Sequence, residues 1–582
     1  MELIYKKTDA LINKKFRDLF FPTLITTATI YLGNIMSGII VGNLITPEAM
    51  ASIYACMPLN QLATAISYLI ATSFGMVAVA LGARQNEKAN YIFSTILTLS
   101  IIFAMLMLFL LLPFQNELAG ILSRVEELHE DIQKYLSVFI IRTALIIVIS
   151  VWRYVLRTEG LVKIIKQSAI FQQIISIILT IIFVGYFYLG VRGAAYALII
   201  SDIFSAIYML AFYYKSAEMH NLKFVNVFHD GFKKFFIQSM SIFKTGAPAS
   251  IVIALAAVKV WAIYQIVGTL GGSSAMIFYA ICVTCLSVAN MFVAACGDSS
   301  LPIIGMLYGE KDFVGTRLML KNVQKFTLFF IGIVVAFILF SPETLLKIYN
   351  LPVNNFESGA LALRIFSISL LGVAFSGILI YYYTVIQQRS AAAILSISEG
   401  IFTPPLAWIL SNIWGINGVW VAFILTEIIS FIVIFFYTKF IIKSEDYILI
   451  DKADPKILYD VSITANLENA VKISEESINV LKNNFISAKT AVKVGVALEE
   501  IILNIAKISS KKSANVDVRI KINENQNATI ILRDNGKIFN PVEYNQNDSE
   551  NFLMDGIKVM KSLTKNIQYN RILGLNQTVI EI

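Results

Sequence analysis

The chain has few of the residues that build soluble catalytic centres: three histidines, four cysteines and a charged fraction of 15% in 582 residues. The histidines are His129, His220 and His229. All three lie in polar loops of an otherwise apolar stretch, with no helical phosphoacceptor module beside them. A histidine-kinase mechanism is therefore disfavoured. Cys282-x-x-Cys285 has the spacing of a redox or zinc pair. It sits in a long apolar run, as do Cys56 and Cys296, so these thiols read as small apolar side chains. No Gly-x-x-x-x-Gly-Lys-Ser/Thr segment occurs, which excludes pumping by a Walker-type ATPase. The basic N-terminus, Met1 to Arg17, is not followed by a small-residue cleavage site, and the apolar run after it reads as a retained first helix.

What the chain has in excess is apolar surface. A hydrophobic content of 57% and a mean hydropathy of +0.71 are membrane-protein values. Spans are expected at about 18–42, 52–81, 91–113, 134–156, 166–190, 193–214, 243–268, 275–305, 323–341, 362–387, 390–411 and 414–440. At about residue 440 the pattern turns polar. From Ile441 onward 18 basic residues balance 18 acidic ones, so the net charge of +8 belongs to the apolar part, with its 29 basic and 21 acidic residues. That charge reports topology rather than nucleic-acid binding. Lys6, Lys7, Lys14, Lys15, Arg17, Arg84, Lys88, Arg153, Arg157, Lys233, Lys234, Lys311 and Arg317 fall on one side, while the opposite loops are poor in Lys and Arg. By the positive-inside bias both termini are expected in the cytoplasm of a multi-pass plasma-membrane protein. The expected division is a basic cytoplasmic N-terminus (1–17), a six-helix half (18–214), a cytoplasmic linker (215–242), a second six-helix half (243–440), a linker (441–454) and a soluble domain (455–582).

The two halves repeat. Pro22 and Val41-Gly42 are displaced by one constant interval from Pro248 and Val267-Gly268, and Leu81-Gly82 corresponds to Tyr308-Gly309 within one residue. Two halves in the same orientation imply a parallel repeat about an axis along the membrane normal, an architecture of transporters. Together with Pro58-Leu59, Gly75, Gly246-Ala-Pro248, Gly271-Gly272 and Leu301-Pro302-Ile-Ile-Gly305-Met-Leu-Tyr-Gly309-Glu-Lys-Asp312, these residues resemble the multidrug and toxin extrusion (MATE) transporters over about residues 15–440. That superfamily also holds polysaccharide and lipid-precursor flippases. The resemblance implies cation-coupled export of small organic molecules.

Three positions are candidates for the transport cavity. Many members of the family carry an Asp five residues before the glycine of Val41-Gly42. Here that position is Ser37, whose hydroxyl does not carry a proton as a carboxylate does. Lys259 lies inside the seventh apolar run, where a buried ammonium costs several kcal/mol unless paired, so it snorkels, or is a structural partner of Asp202 or Asp298, or is a cation facing the cavity. Glu399 stands beside Gly400 and before Pro404-Pro405, where a broken helix can expose backbone to a cavity and a simple proline kink is the plainer reading. Arg142, Asp202 and Glu427 read as near helix ends and interfacial.

The tail reads as an α/β sandwich, a helical layer on an antiparallel sheet. A strand is expected at Tyr459 to Thr464, and helices at Asn466 to about Leu481 and Ala488 to Ile508. Val516 to Asn523 and Ala528 to Arg533 form a hairpin with one buried face, turning at Glu524-Asn-Gln-Asn527. A helix near Asp555 to Leu563 and strands near 567–571 and 578–582 close the domain. Glu500 and Asn504 are four apart on the polar side of a helix, which suits one divalent ion and one water. Asp534 at a strand end before Asn535-Gly536 suits an adenine amino group, with glycine letting the ring approach.

Glu500-x-x-x-Asn504, Asp534-Asn-Gly536-Lys-Ile-Phe539-Asn540-Pro541, Gly556-Ile-Lys-Val-Met-Lys-Ser-Leu and Tyr569 with Gly574-Leu-Asn576 and Thr578 resemble the Bergerat-fold (GHKL) ATPases, most closely the anti-sigma-factor serine kinases, over about 455–582. The resemblance implies ATP and Mg²⁺ as cofactors. It makes Asn504 the Mg²⁺ ligand, Glu500 the catalytic base, Asp534 the adenine contact, Gly536 and Gly556 close approaches to nucleotide, and Thr578 a support for the adenine pocket. Met554 replaces a glycine usual in the family, so the lid over the phosphates is expected to be shortened.

Three functions follow as expectations. The first is a MATE-like carrier of a small organic substrate in the lipid bilayer, with a cytoplasmic ATP-binding domain that regulates it or phosphorylates a protein partner. The second is a membrane-anchored anti-sigma-like Ser/Thr kinase or nucleotide sensor. The third is a flippase for an anionic lipid or polysaccharide precursor.

Overall fold

The computed structural model describes residues 4–6, 8, 10–82, 85–158, 161–215, 222–229, 231–351, 356–444, 448–449, 457–509, 514–523, 527–543 and 555–582. Arg84, His220, Met554, the turn residues 524–526 and parts of both predicted linkers lie outside the described residues. The elements run β1 (Ile4–Lys6), α1 (Ala10–Leu44), α2 (Pro47–Ala55), α3 (Met57–Ala71), α4 (Phe74–Gly82), α5 (Asn86–Leu111), α6 (Gln115–Leu122), α7 (His129–Thr158), α8 (Val162–Thr180) and α9 (Gly190–Lys215). There follow α10 (Phe232–Gly309), α11 (Phe313–Phe340), α12 (Pro342–Ile348), α13 (Phe356–Val385), α14 (Arg389–Trp414) and α15 (Ile416–Phe436). The tail holds β2 (Ile457–Thr464), α16 (Leu467–Asn483), α17 (Ala488–Ile508), β3 (Asn515–Ile522), β4 (Ala528–Asp534), α18 (Asp555–Leu563), β5 (Asn566–Ile572) and β6 (Leu575–Glu581).

Eleven described helices are long and apolar enough to cross a membrane, against twelve expected runs. The difference lies in α10, whose 78 residues would extend about 117 Å, nearly four bilayer cores. Gly272 breaks it at φ 59 and ψ −150, so the two expected runs are joined by one residue rather than a loop. Gly415 makes the same turn between α14 and α15 with φ 58 and ψ −144, a conformation only glycine adopts without strain. The expected second span is in fact α2 to α4. Thr46 caps α2 by accepting from the Ala49 amide, and a break at Cys56 precedes Pro58, which has no N–H to continue the ladder. In contrast, α14 runs unbroken through Pro404 and Pro405, so neither a broken helix nor a new helix start occurs there.

The chain divides into two compact units. One comprises Thr23–Cys296 and Phe326–Lys443, and the other Met1–Pro22, Gly297–Lys325 and Ser444–Ile582. In the first, α3, α5, α7, α8 and α9 pack among themselves, as do α13, α14 and α15. Close approaches use small residues, as at Gly246 against the Leu69 backbone and Gly400 against Leu255.

The second unit carries a six-stranded sheet in the order β1-β2-β3-β4-β6-β5. Every pairing is antiparallel except β1 with β2, where Ile4 lies opposite Tyr459, so the sheet is mixed rather than purely antiparallel. The extra strand comes from the N-terminus, which was expected to be a basic tail only, and α1 begins at Ala10 instead of about 18. Asn466 and Ser487 cap α16 and α17 through their side-chain oxygens. One sheet face, with Val516, Val518, Ile520, Ile530 and Leu532, packs on Ile473, Leu481, Val494, Leu498, Ile502 and Met560 of the helical layer.

The other face is buried too, contrary to the single buried face expected of the hairpin. Asp460, Asp517, Arg519 and Arg533 are each at most 5% exposed. Alternation of apolar and charged residues predicts a solvated face, but here residues from another part of the chain cover it.

Candidate functional site

The tail residues fall into two groups. On α17 the Asn504 Nδ2 donates to the Glu500 carbonyl at 2.7 Å, which leaves the amide oxygen as the atom that can face a cation. Asn504 is buried. A Cβ at Gly556, on α18, would fall on the Glu500 carboxylate, so glycine there is what lets the carboxylate stand between the two helices.

The second group gathers where β4 and β6 pair, with Asp534 opposite Asn576 and Leu532 opposite Thr578. Asp534 Oδ1 accepts from the Gly536 amide at 2.8 Å and from Asn576 Nδ2 at 2.9 Å. Asn576 Nδ2 also donates to the Lys537 carbonyl at 2.8 Å, and the Tyr569 hydroxyl donates to Asn576 Oδ1 at 2.8 Å. Burial pushes the Asp534 carboxyl above its ordinary value, and the two bonds it accepts pull it part of the way back. Thr578 is buried. Ser509, one residue beyond α17, ties the groups together by accepting from the Lys537 amide at 3.3 Å. A Cβ at Gly536 would lie 2.5 Å from the Ser509 hydroxyl, so that position has little room for any side chain. Sequence reasoning passed over Ser509. Its position immediately after the helix that carries Glu500 and Asn504 was the available signal.

A third cluster, unforeseen in the sequence, covers the outer sheet face. Lys311, at φ 57, ends α10, and the Asp312 amide donates back to the Leu307 carbonyl at 2.8 Å. Asp312 then caps α11, its Oδ1 accepting from the Gly315 amide at 2.8 Å. The same carboxylate pairs with Arg519 of β3 and lies 3.5 Å from Arg533 of β4. Glu310 pairs with Arg533, and Asp460 lies 3.4 Å from Arg519. Burial alone pulls Arg519 down, but Asp312 and Asp460 more than reverse it, whereas burial lowers Arg533 to about 10. Both therefore stay charged at neutral pH. Glu310 and Asp312 were legible only as parts of a helix-end motif, and the arginines only as polar strand positions.

In the membrane unit, Lys259 pairs with neither Asp202 nor Asp298 but with Glu399, Nζ to Oε2 at 2.9 Å. The close crossing at Gly400 and Leu255, one helical turn from Lys259, sets that pair. Glu427 feels both charges and accepts from the Ser376 hydroxyl at 3.0 Å, at the edge of a mainly apolar cavity of about 420 Å³. Lys259 is thus no free cation. Arg142 and Asp202 are not interfacial either: they form a 2.8 Å pair within the first half, largely buried. Arg142 lines a cavity of about 390 Å³ that also contains Ser37, whose hydroxyl donates to the Gly33 carbonyl.

A polytopic helical membrane protein, with paired charges inside each half of its spanning part, is the class these features define. Residues 22–182 match the family model MatE. The multidrug export protein MepA of Staphylococcus haemolyticus (strain JCSC1435) is 22% identical over 444 residues, covering 75% of this chain and 95% of that protein. MepA of Staphylococcus aureus (strain bovine RF122 / ET3-1) is 21% identical over 435 residues, with 73% and 93% covered. A solved inward-facing multidrug resistance MATE family transporter of the MOP superfamily aligns with TM-score 0.62 and 20% identity over 72% of this chain and 98% of that one. A MOP superfamily transporter from Pyrococcus furiosus Vc1, described as having a binding pocket of reverse polarity, aligns at 0.55 and 20%, over 75% and 99%. The membrane portion of this chain has a MATE-like fold.

Proposed function

We propose that the chain is a secondary carrier exporting a small organic molecule, and that its C-terminal α/β domain binds Mg-ATP and regulates that carrier from the cytoplasm. Export rests on the MATE-like fold and on relatives named as multidrug exporters. Glu399, paired with Lys259, and Glu427, bonded by the Ser376 hydroxyl, are the residues suited to take up a coupling proton. The ends of α1, α10 and α11 that join the sheet's unit are those the basic-residue bias assigns to the cytoplasm, where ATP is.

The regulatory reading is carried by Asp312. One carboxylate caps a spanning helix and holds the two arginines of the sheet, so a shift in β3 or β4 and a shift in the start of α11 are mechanically one event. Bound ATP supplies a phosphoanhydride and, with its Mg²⁺, several negative charges. The residues present fit it. Asn504 would hold the metal through its amide oxygen, and the phosphates would provide most other ligands. Glu500 would orient or deprotonate an attacking hydroxyl or water, Asp534 would accept from the adenine amino group with Gly536 beneath the ring, and Thr578 would back the pocket.

In full-length protein, Asn504→Ala and Asp534→Ala are expected to weaken Mg-ATP binding by about tenfold or more and to leave basal transport in proteoliposomes intact while abolishing its response to nucleotide. Full-length protein is needed because 441–582 alone lacks β1, Glu310 and Asp312. If folded wild-type protein does not bind Mg-ATP, the carrier reading survives and the regulatory one fails. Gly556→Ala drives a methyl group into Glu500 and is expected to lower any hydrolysis or phosphotransfer rate by about tenfold or more while changing nucleotide affinity less; single-turnover assays separate the two.

A further inference from the structure

Arg153 has no carboxylate of its own among the described residues. On α7 it lines the cavity of about 390 Å³ in the first half together with Arg142, Gln172, Asn60, Ser37 and Tyr135. Its Nη2 donates to Gln172 Oε1 at 2.9 Å, and its Nε has no partner among the described residues. Gln172 in turn donates to Asp202, whose other carboxylate oxygen already accepts from Arg142 Nε at 2.8 Å. Arg142 reaches on to Asn60 Oδ1 at 3.2 Å, and its guanidinium lies 5.6 Å from the Phe139 ring centre. The connected network thus holds two guanidiniums and one carboxylate, leaving one positive charge in excess within spanning helices.

An uncompensated guanidinium there is unfavourable unless an occupant neutralises it. The cavity is lined both by donors and by the apolar or aromatic side chains Ile35, Val41, Met57 and Phe139. A carboxylate at the position of Ser37 would cancel the excess charge, and this chain has a hydroxyl there. In the second half, by contrast, the one lysine of the cluster, Lys259, has a carboxylate partner in Glu399.

We propose that this cavity binds an organic anion, a carboxylate, sulfonate or phosphate attached to an apolar ring or chain, with Arg153 as its counter-charge. A guanidinium fork matches the two oxygens of such a group, and a cavity of this size holds a small drug-like molecule. The cargo class is therefore anionic. The inference rests on the reading of this half as a carrier.

The test is equilibrium dialysis of full-length protein in phosphatidylcholine nanodiscs, without nucleotide or ion gradient, against naphthalene-2-sulfonate and naphthalen-2-ylmethylammonium. The wild type is expected to prefer the anion by about tenfold or more. Arg153→Gln is expected to remove about tenfold or more in anion affinity, and Arg153→Lys, which keeps the charge but not the fork, to lose less than Arg153→Gln does. Ser37→Asp, which adds a negative charge without removing any network residue, is expected to abolish the preference while the protein stays monodisperse. Replacing half the lipid by phosphatidylglycerol separates two sources of anion: competition assigns the site to lipid headgroups, and undiminished binding assigns it to a soluble molecule. Equal or tighter binding of the ammonium probe, absence of saturable anion binding, or indifference of the anion to both Arg153→Gln and Ser37→Asp would overturn the proposal. Since neither nucleotide nor export is read, such a result leaves the regulatory and export readings standing.

Discussion

Asp312→Ala is expected to destabilise the sheet-bearing unit by about 3–5 kcal/mol, the range for removing one partner of a buried ion pair, and to disconnect nucleotide from transport. The substitution takes the carboxylate from Arg519 and Arg533 at once. Arg519 retains Asp460 at 3.4 Å, and Arg533 retains Glu310 and, at 3.8 Å, Asp517, but both arginines are buried, so water does not readily replace the lost carboxylate. The same change removes the cap of α11, worth about 1 kcal/mol by itself. Asp312→Asn keeps a capping oxygen but not the charge, and is expected to show most of the loss. Hydrogen exchange of full-length protein should report faster exchange in β3 and β4 for both variants, while Mg-ATP binding, measured below the unfolding temperature, stays near that of the wild type. If transport still responds to nucleotide in folded Asp312→Asn, this carboxylate is not the connection.

How much of this was legible in the sequence depended on whether a contact was local. The tail elements follow from periodicity and caps, since amphipathic helices and alternating strands are decided within a few residues, and α17 and α18 lie where the pattern places them. Most spans follow from length and hydropathy, but the one-residue junction at Gly272 and the division of the second span into α2 to α4 do not. Partnerships between distant segments were not legible. Nothing local says that Ile4–Lys6 pairs with a strand more than 450 residues later, or that Lys259 faces Glu399. Arg519 and Arg533 look like the solvated positions of an edge-on hairpin until the turn at Glu310–Asp312 is placed against them. Intramembrane charges were legible as costly, and therefore as requiring partners, but hydropathy alone gives no means of choosing between Asp202, Asp298 and Glu399. The residues proposed to hold nucleotide stood out because Glu500, Asn504, Asp534 and Gly536 sit in short motifs of defined spacing.

The glycines of the carrier motifs divide in the same way, and the division makes a prediction of comparable size. Gly246→Ala is expected to destabilise the membrane unit by about 3 kcal/mol or more, because an ideal Cβ at 246 would fall on the carbonyl of Leu69 and lie 2.8 Å from its Cα. A side chain in that position could rotate aside, but a helix backbone cannot move without shifting the contacts of α3 and, just beyond its end, the buried Ser73 hydroxyl bond to the Ile242 carbonyl at 2.9 Å. Gly309, which resembles the family just as well, has nothing within 4 Å of its would-be Cβ. Gly309→Ala is therefore expected to be neutral or to stabilise by up to about 1 kcal/mol through helix propensity. Thermal midpoints of the two variants in the same detergent, followed by size exclusion, decide it. Similar behaviour of both would mean that α3 and α10 do not cross at Gly246 as closely as the fold requires, and that glycine is present there for a reason other than the approach of the two helices.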